Sequence, residues 1–187
     1  MSFSKKYDVL CAGILVADLF SSPLPEMPPA GGLTLVDRIH PSPGGCAANT
    51  AVCLRKCGAR VGLVGKVGGD LFGDFVARVL TEQGVDTAGI SRSGTLPTSS
   101  TMIIPIAGED RRYIHARGAN DDLGPEDVDL DLVARSRALY LGGFLLQPRL
   151  DPESAGSMSP AAPISSATRT PALARAPYTP LPARSRS

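Results

Sequence analysis

Apolar residues fall into short runs that end in glycine, and the runs alternate with stretches of helical spacing. Tyr7-Asp8-Val9-Leu10-Cys11-Ala12-Gly13 reads as a buried strand that reaches a glycine. Ile14-Leu15-Val16-Ala17-Asp18-Leu19-Phe20 follows at once, with one acid inside an apolar stretch. Pro23, Pro25, Pro28 and Pro29, then Gly31 and Gly32, mark a loop. Leu33 to His40 alternates loosely, as a half-exposed strand does. Gly44-Gly45 then runs into Cys46-Ala47-Ala48-Asn49-Thr50-Ala51, and the block continues to Cys57 before Gly58. This predicts a tight turn feeding a helix N-terminus, with Gly58 ending the helix. Arg60–Gly68 reads as a second glycine-ended strand. Asp70 is placed to cap a helix whose apolar positions are Phe72, Val76, Val79 and Leu80 and whose end is Gly84.

Thr98–Ile106 and Arg111–Ala116 flank Gly108-Glu109-Asp110 and predict a hairpin, with Pro105 marking an edge strand. Arg111 and Arg112 read as solvated charges. Gly118-Ala119-Asn120 closes the hairpin. A helix with acids in its first turn is expected from Pro125 to Ala134, and a further strand over Ala138–Gly143. Strand, helix, strand, helix is the pattern of a parallel sheet, so the fold class is α/β.

Composition narrows the classes. The chain has 187 residues, 43% apolar, and a formal net charge of +1. That length makes one domain the default. That charge gives no electrostatic argument for nucleic acid, and no apolar run is long enough to span a bilayer. The lysine-containing N-terminus is followed by an apolar segment that Asp18 interrupts, which is a poor match to a signal peptide. Cys11, Cys46, Cys53 and Cys57 form no Cys-x-x-Cys, and His40 and His115 complete no metal-ligand spacing. Buried free thiols of a reducing cytoplasm are expected, with Cys53 and Cys57 on one helical face and His40 at the surface. Charge is uneven: 15 basic against 18 acidic residues precede Ser154, while Ser154–Ser187 carries four arginines and no acid. The sequence thus divides into residues 1–150 and a Pro/Ala/Ser/Arg-rich tail over 151–187, expected to be disordered because it cannot bury enough apolar area to offset its ordering entropy.

Candidate chemistry centres on the double glycine. A helix N-terminus carries unpaired N–H groups and partial positive charge. Glycine lets a ligand touch the backbone, and Asn49 offers both a donor and an acceptor. Asp18 adds a carboxylate at the end of the first strand, where open α/β sheets bind ligands. Such mixed partners suit a polyhydroxylated molecule. Gly65-Lys66-Val67-Gly68-Gly69 lacks the order of a dinucleotide fingerprint and the Lys-Ser/Thr of a phosphate loop, so it reads as a turn only.

The run Gly44-Gly45-Cys46-Ala47-Ala48-Asn49-Thr50-Ala51, with Gly58 and Gly68 behind it, resembles the N-terminal signature of the ribokinase-like (PfkB-type) carbohydrate kinases. The likeness covers residues 7–150. It implies a doubly wound, mainly parallel sheet with a small β-lid that also pairs two subunits as a homodimer. It also implies substrate binding by Asp18, Gly44, Gly45 and Asn49. Family members transfer the terminal phosphoryl of ATP, with Mg2+, to a sugar or nucleoside hydroxyl. Their base is the Asp of Gly-Ala-Gly-Asp in the C-terminal half. Gly118-Ala119-Asn120-Asp121 comes too early and has Asn for the second Gly, so no catalytic, cofactor-binding or metal residue is assigned. The expectation is an N-terminal portion with the C-terminal half missing and a frame-shifted tail from about residues 151–157. Ribose kinases usually carry Asn where Val16 stands and Lys where Cys46 stands, so the implied acceptor is a sugar or nucleoside other than ribose itself. Two further readings stand beside this one: a non-catalytic sugar-binding or lid-dimerising remnant, and an unrelated nucleotide-binding α/β module. The last predicts that ATP or NAD binds better than sugar and that Asn49→Ala is silent.

Overall fold

The computed structural model describes residues 5–150; the expected tail at 151–187 lies outside them. Among the described residues, eight strands and three helices follow in the order β1 (Tyr7–Gly13), β2 (Val16–Ser21), β3 (Ile39–Gly44), α1 (Cys46–Lys56), β4 (Val61–Gly68), α2 (Leu71–Glu82), β5 (Asp86–Ser93), β6 (Ser100–Ile104), β7 (Arg112–Ala116), α3 (Leu130–Ala134) and β8 (Ser136–Gly142). Two 3-10 turns, Gly118–Asp122 and Pro125–Asp127, lie between β7 and α3.

A parallel sheet in the order β5-β4-β1-β8 forms the body. Side chains alternate across it, so each face has its own core. Cys11, Leu63 and Val67 pack with Ala47 and Ala51 of α1 and Val76 and Leu80 of α2. Leu10, Ala12 and Val64 pack on the other face with Leu123, Val128 and Val133. Both faces are therefore covered, as a doubly wound sheet requires. The second sheet, β3-β2-β6-β7, is mixed: β2 runs parallel to β6, and the two outer pairs are antiparallel.

The Gly-Gly turn and the Gly58 end of α1 form as the sequence predicts; Gly45 is the N-cap at φ 95° and Gly58 has φ 88°. Asp70 caps α2. Its Oδ1 accepts from Gly73 N at 2.9 Å and from the Thr98 hydroxyl at 2.6 Å, and its Oδ2 accepts from Thr98 N at 2.8 Å. Burial opposes ionisation of this carboxyl, but the Thr98 and Gly73 bonds outweigh it and hold the pKa below the ordinary Asp value. Asp70→Ala should cost about 2–4 kcal/mol in urea denaturation at neutral pH, because three donors lose their partner. With the folded-state pKa depressed, this contribution is complete above the ordinary Asp range and is lost as pH falls through the depressed value.

Five local expectations are corrected. Residues 33–38 are not a strand; Leu33 and Leu35 are exposed, and the strand is Ile39–Gly44. It lies at a sheet edge, where Pro41 and Pro43 leave no central ladder donor missing. Pro105 lies beyond the end of β6, an interior strand, and its carbonyl accepts from Leu24 N at 2.9 Å. The helix expected at 125–134 divides at Val128 into a 3-10 turn and the short α3. His40 is half-buried and stacks on Phe20 with ring centroids 5.5 Å apart. Of the four thiols only Cys11 is buried, and burial pushes its pKa up to about 11; Cys46, Cys53 and Cys57 are exposed.

Candidate functional site

Three glycines let the end of β1, the end of β8 and the start of α1 meet backbone to backbone, and a fourth lets the Asp18 side chain of β2 lie against the chain just before α1. Gly13 has φ 136°, and a Cβ there would stand 2.0 Å from Gly142 O. A Cβ on Gly142 would stand 2.7 Å from Ala47 N, and one on Gly45 2.3 Å from Ile14 O. A Cβ on Gly44 would stand 2.1 Å from Asp18 Oδ2. The two-residue connection Ile14-Leu15 ties these pieces together. Ile14 N donates to Gly142 O at 3.1 Å, and Ile14 O accepts from Ala47 N at 3.3 Å. Asn120, itself buried, closes the connection from behind: its Oδ1 accepts from Leu15 N at 3.0 Å and its Nδ2 donates to Leu15 O at 2.8 Å.

Asp18 lies on β2 of the second sheet, five residues past the end of β1 rather than at that end. The register places it in a row across all four strands: Ser42 on β3, Asp18 on β2, Thr101 on β6 and His115 on β7. Paired residues share a face, so the row is one polar stripe. Thr101 Oγ1 and His115 Nδ1 are 3.0 Å apart. Burial pushes the Asp18 carboxyl above its ordinary pKa, against the opposing pull of the Thr101 hydroxyl and of His115. The start of α1, reached through Gly44 and Gly45, has no side-chain cap and no acid in its first turn. No residue of α1 itself therefore offsets its partial positive charge.

The structure brings Asp18, Gly44 and Gly45 together. Asn49 is exposed one turn into α1, where it lines a groove of about 220 Å3 with Ser42, Pro43, Val52, Lys56 and Gln83. Ser42 belongs to both the groove and the polar row. A cavity of about 210 Å3 at the other end of the row is lined by Ile14, His115, Arg117, Asn120, Asp121 and Leu146. Ser42, Thr101 and His115 are the members that sequence reading did not assign to the site; counting back from the hairpin loop in steps of two pairs the last two opposite each other.

The turn expected at Gly65–Gly69 is instead the end of β4: residues 65–68 are strand, and the bend follows at Gly69 and Asp70. Gly68 N donates to the Thr98 hydroxyl at 2.9 Å, and a Cβ on Gly68 would meet Thr98 N at 2.5 Å. Asp121 is paired with Arg117 at 2.7 Å. Among the described residues no three His, Cys, Asp or Glu side chains are grouped to hold a metal ion, and no helix is long and apolar enough to cross a membrane.

Comparison with known proteins bears on this arrangement. Residues 6–175 match the family described as pfkB family carbohydrate kinase, a span that runs past Leu150 into the Pro/Ala/Ser/Arg-rich stretch. The chain is 28% identical over 124 residues to probable fructokinase-4 of Arabidopsis thaliana, covering 64% of this chain and 38% of that protein. It is 34% identical over 105 residues to the 5-dehydro-2-deoxygluconokinase of Photobacterium profundum, covering 55% and 32%. It thus spans about a third of the length of these relatives. Among solved structures, Arabidopsis thaliana ribokinase complexed with ribose and ATP superimposes with a TM-score of 0.64 at 24% identity, over 72% of this chain and 45% of that one. At that identity the likeness shows the fold.

Proposed function

Since this chain belongs to the pfkB family of carbohydrate kinases, we propose that it carries the acceptor-binding side of an ATP-dependent sugar kinase. Asp18, Gly44, Gly45 and Asn49 hold a sugar or nucleoside. The observation that carries the reading is the Asp18 carboxylate seated over Gly44 at the uncapped start of α1. A carboxylate accepts hydrogen bonds from hydroxyl groups, and helix N–H groups donate to hydroxyl oxygens, so one hydroxyl is met from both sides. Asn49 supplies a further donor and acceptor at the neighbouring groove. The outward row Leu19, Pro41, Met102 and Ile114, on the opposite face of the second sheet from Asp18, is taken as the surface through which two chains pair.

Phosphoryl transfer needs a base near the accepting hydroxyl, donors for the phosphate charge and a metal ion. Among the described residues none is assigned to ATP or Mg2+. Gly68, at the end of β4, donates its N–H to the Thr98 hydroxyl, and among the described residues no three His, Cys, Asp or Glu side chains are grouped. No step is therefore assigned to them, and no residue is given the role of base.

The test is calorimetric titration of the chain with D-fructose, D-ribose and adenosine. At least one should bind, and Asp18→Asn should weaken it roughly 10- to 100-fold, the equivalent of one charge-assisted hydrogen bond. Gly44→Ala should do the same by displacing the carboxylate. An affinity unchanged in Asp18→Asn would remove the proposal.

A further inference from the structure

We infer that His115 is a ligand-binding residue, held by Thr101 with a proton on Nδ1 so that Nε2 is the nitrogen free to meet a ligand. Thr101 is buried between two partners in the polar row, with Asp18 beside it on β2 and His115 opposite it on β7. A threonine hydroxyl has one proton and two lone pairs. Asp18 is the register partner of Thr101 on β2, and a carboxylate there can only accept, so we take the Thr101 proton to be directed to Asp18. The Thr101 oxygen must then accept from His115 Nδ1, 3.0 Å away, and that nitrogen carries a proton. In a neutral imidazole this leaves Nε2 with its lone pair, so Nε2 is a hydrogen-bond acceptor.

The cavity beside His115 gives that nitrogen a purpose. Asn120 commits both its amide atoms to Leu15, and Arg117 and Asp121 are paired with one another. Arg117 also donates to Leu146 O at 2.6 Å. His115 therefore brings to the 210 Å3 cavity an exposed ring whose Nε2 has no hydrogen-bond partner among the described residues. Asp18 and His115 stand two strands apart, about 10 Å between backbones. Two acceptors at that spacing suit hydroxyl groups at opposite ends of a sugar rather than a vicinal pair. The wiring is argued from strand register and the 3.0 Å Thr101–His115 contact; its service to a sugar rests on the acceptor-site reading above.

The test uses the full 15N-labelled chain and imidazole nitrogen–proton correlation spectra at mildly alkaline pH, where imidazoles are neutral. His40 is the only other histidine, so His115→Gln assigns the signals. His115 should show the Nδ1–H tautomer. Thr101→Val should shift it toward Nε2–H, and Thr101→Ser should restore it, with the backbone amide spectrum of each variant reporting that the fold is kept. An Nε2–H ring in the unmodified chain, or a tautomer indifferent to Thr101→Val, overturns the wiring. Titration with D-fructose and then D-ribose should move the His115 ring together with the amides of Asp18 and Asn49, and His115→Gln should weaken that sugar about tenfold. A sugar that moves Asp18 and Asn49 while leaving the His115 ring untouched overturns the role toward ligand. A panel that moves none of them removes the acceptor-site reading, and the ligand role with it.

Discussion

Replacing Gly13 by alanine should leave no soluble folded protein. Gly13 has φ 136°, where an L side chain costs about 1–3 kcal/mol by itself. Steric contact costs more. The new Cβ would stand 2.0 Å from Gly142 O, a backbone atom that already accepts from Ile14 N. Gly142 cannot retreat, because its own Cα lies against Ala47 N at the start of α1 and its strand is registered on β1. Relief would require parting β8 from β1. The expected loss is above about 5 kcal/mol, comparable with the whole stability of a domain. Gly58→Ala is the control. Gly58 also has positive φ, 88°, but nothing lies within 4 Å of its added Cβ, so only the local strain of about 1–2 kcal/mol remains. Soluble yield and urea midpoints of the two variants check the pair; equal losses would show that the glycine convergence is not what makes Gly13 necessary.

Asn120→Leu should destabilise the chain by about 3–5 kcal/mol in chemical denaturation. The substitution keeps the branched side-chain shape but removes both bonds to Leu15, which is fully buried. One N–H and one C=O are then left unpaired away from water, each costing about 1–3 kcal/mol. Asn120→Asp is expected to do no better: it keeps an acceptor for Leu15 N but turns an oxygen toward Leu15 O. Because Leu15 stands three residues before Asp18, the same variants should also loosen the carboxylate from Gly44. A loss below about 1 kcal/mol would mean that the Ile14-Leu15 connection holds its course without Asn120.

The elements legible in the sequence are those whose signals are local. The glycine pair before α1, Gly58 behind it and the Asp70 cap depend on φ and on one side chain reaching its own turn, and all three form as expected. Two strands escape a reading of the sequence for opposite reasons. β5, Asp86–Ser93, is polar and contains Gly89, and nothing in it reads as a strand until β4 supplies a parallel partner. Leu33–Arg38 alternates well, yet forms no ladder, while the proline-bearing segment behind it takes the sheet edge. The site divides the same way. Asp18, Gly44 and Gly45 are legible because an acid in an apolar run and a glycine pair are conspicuous in one dimension. Thr101 and His115 are not, because their meaning comes from register with Asp18 more than eighty residues earlier. Asn120 reads in sequence as the close of a hairpin; its clamp on Leu15 spans 105 residues.

The position of β1 in the sheet also sets an order of assembly. Its partners are β4, where Val9 lies beside Val61, and β8, where Tyr7 lies beside Ser136. The first pairing closes a loop of about fifty residues and the second one of more than a hundred, and long closures come late. During synthesis the unit from β1 to β5 can therefore gather while one side of β1 still has free N–H and C=O groups. That side waits for β8, and until Gly142 arrives it is a template for a strand from any neighbouring chain. An interior strand of the described sheet is thus an edge strand for much of the molecule's birth, which makes β8 the element that ends this exposure.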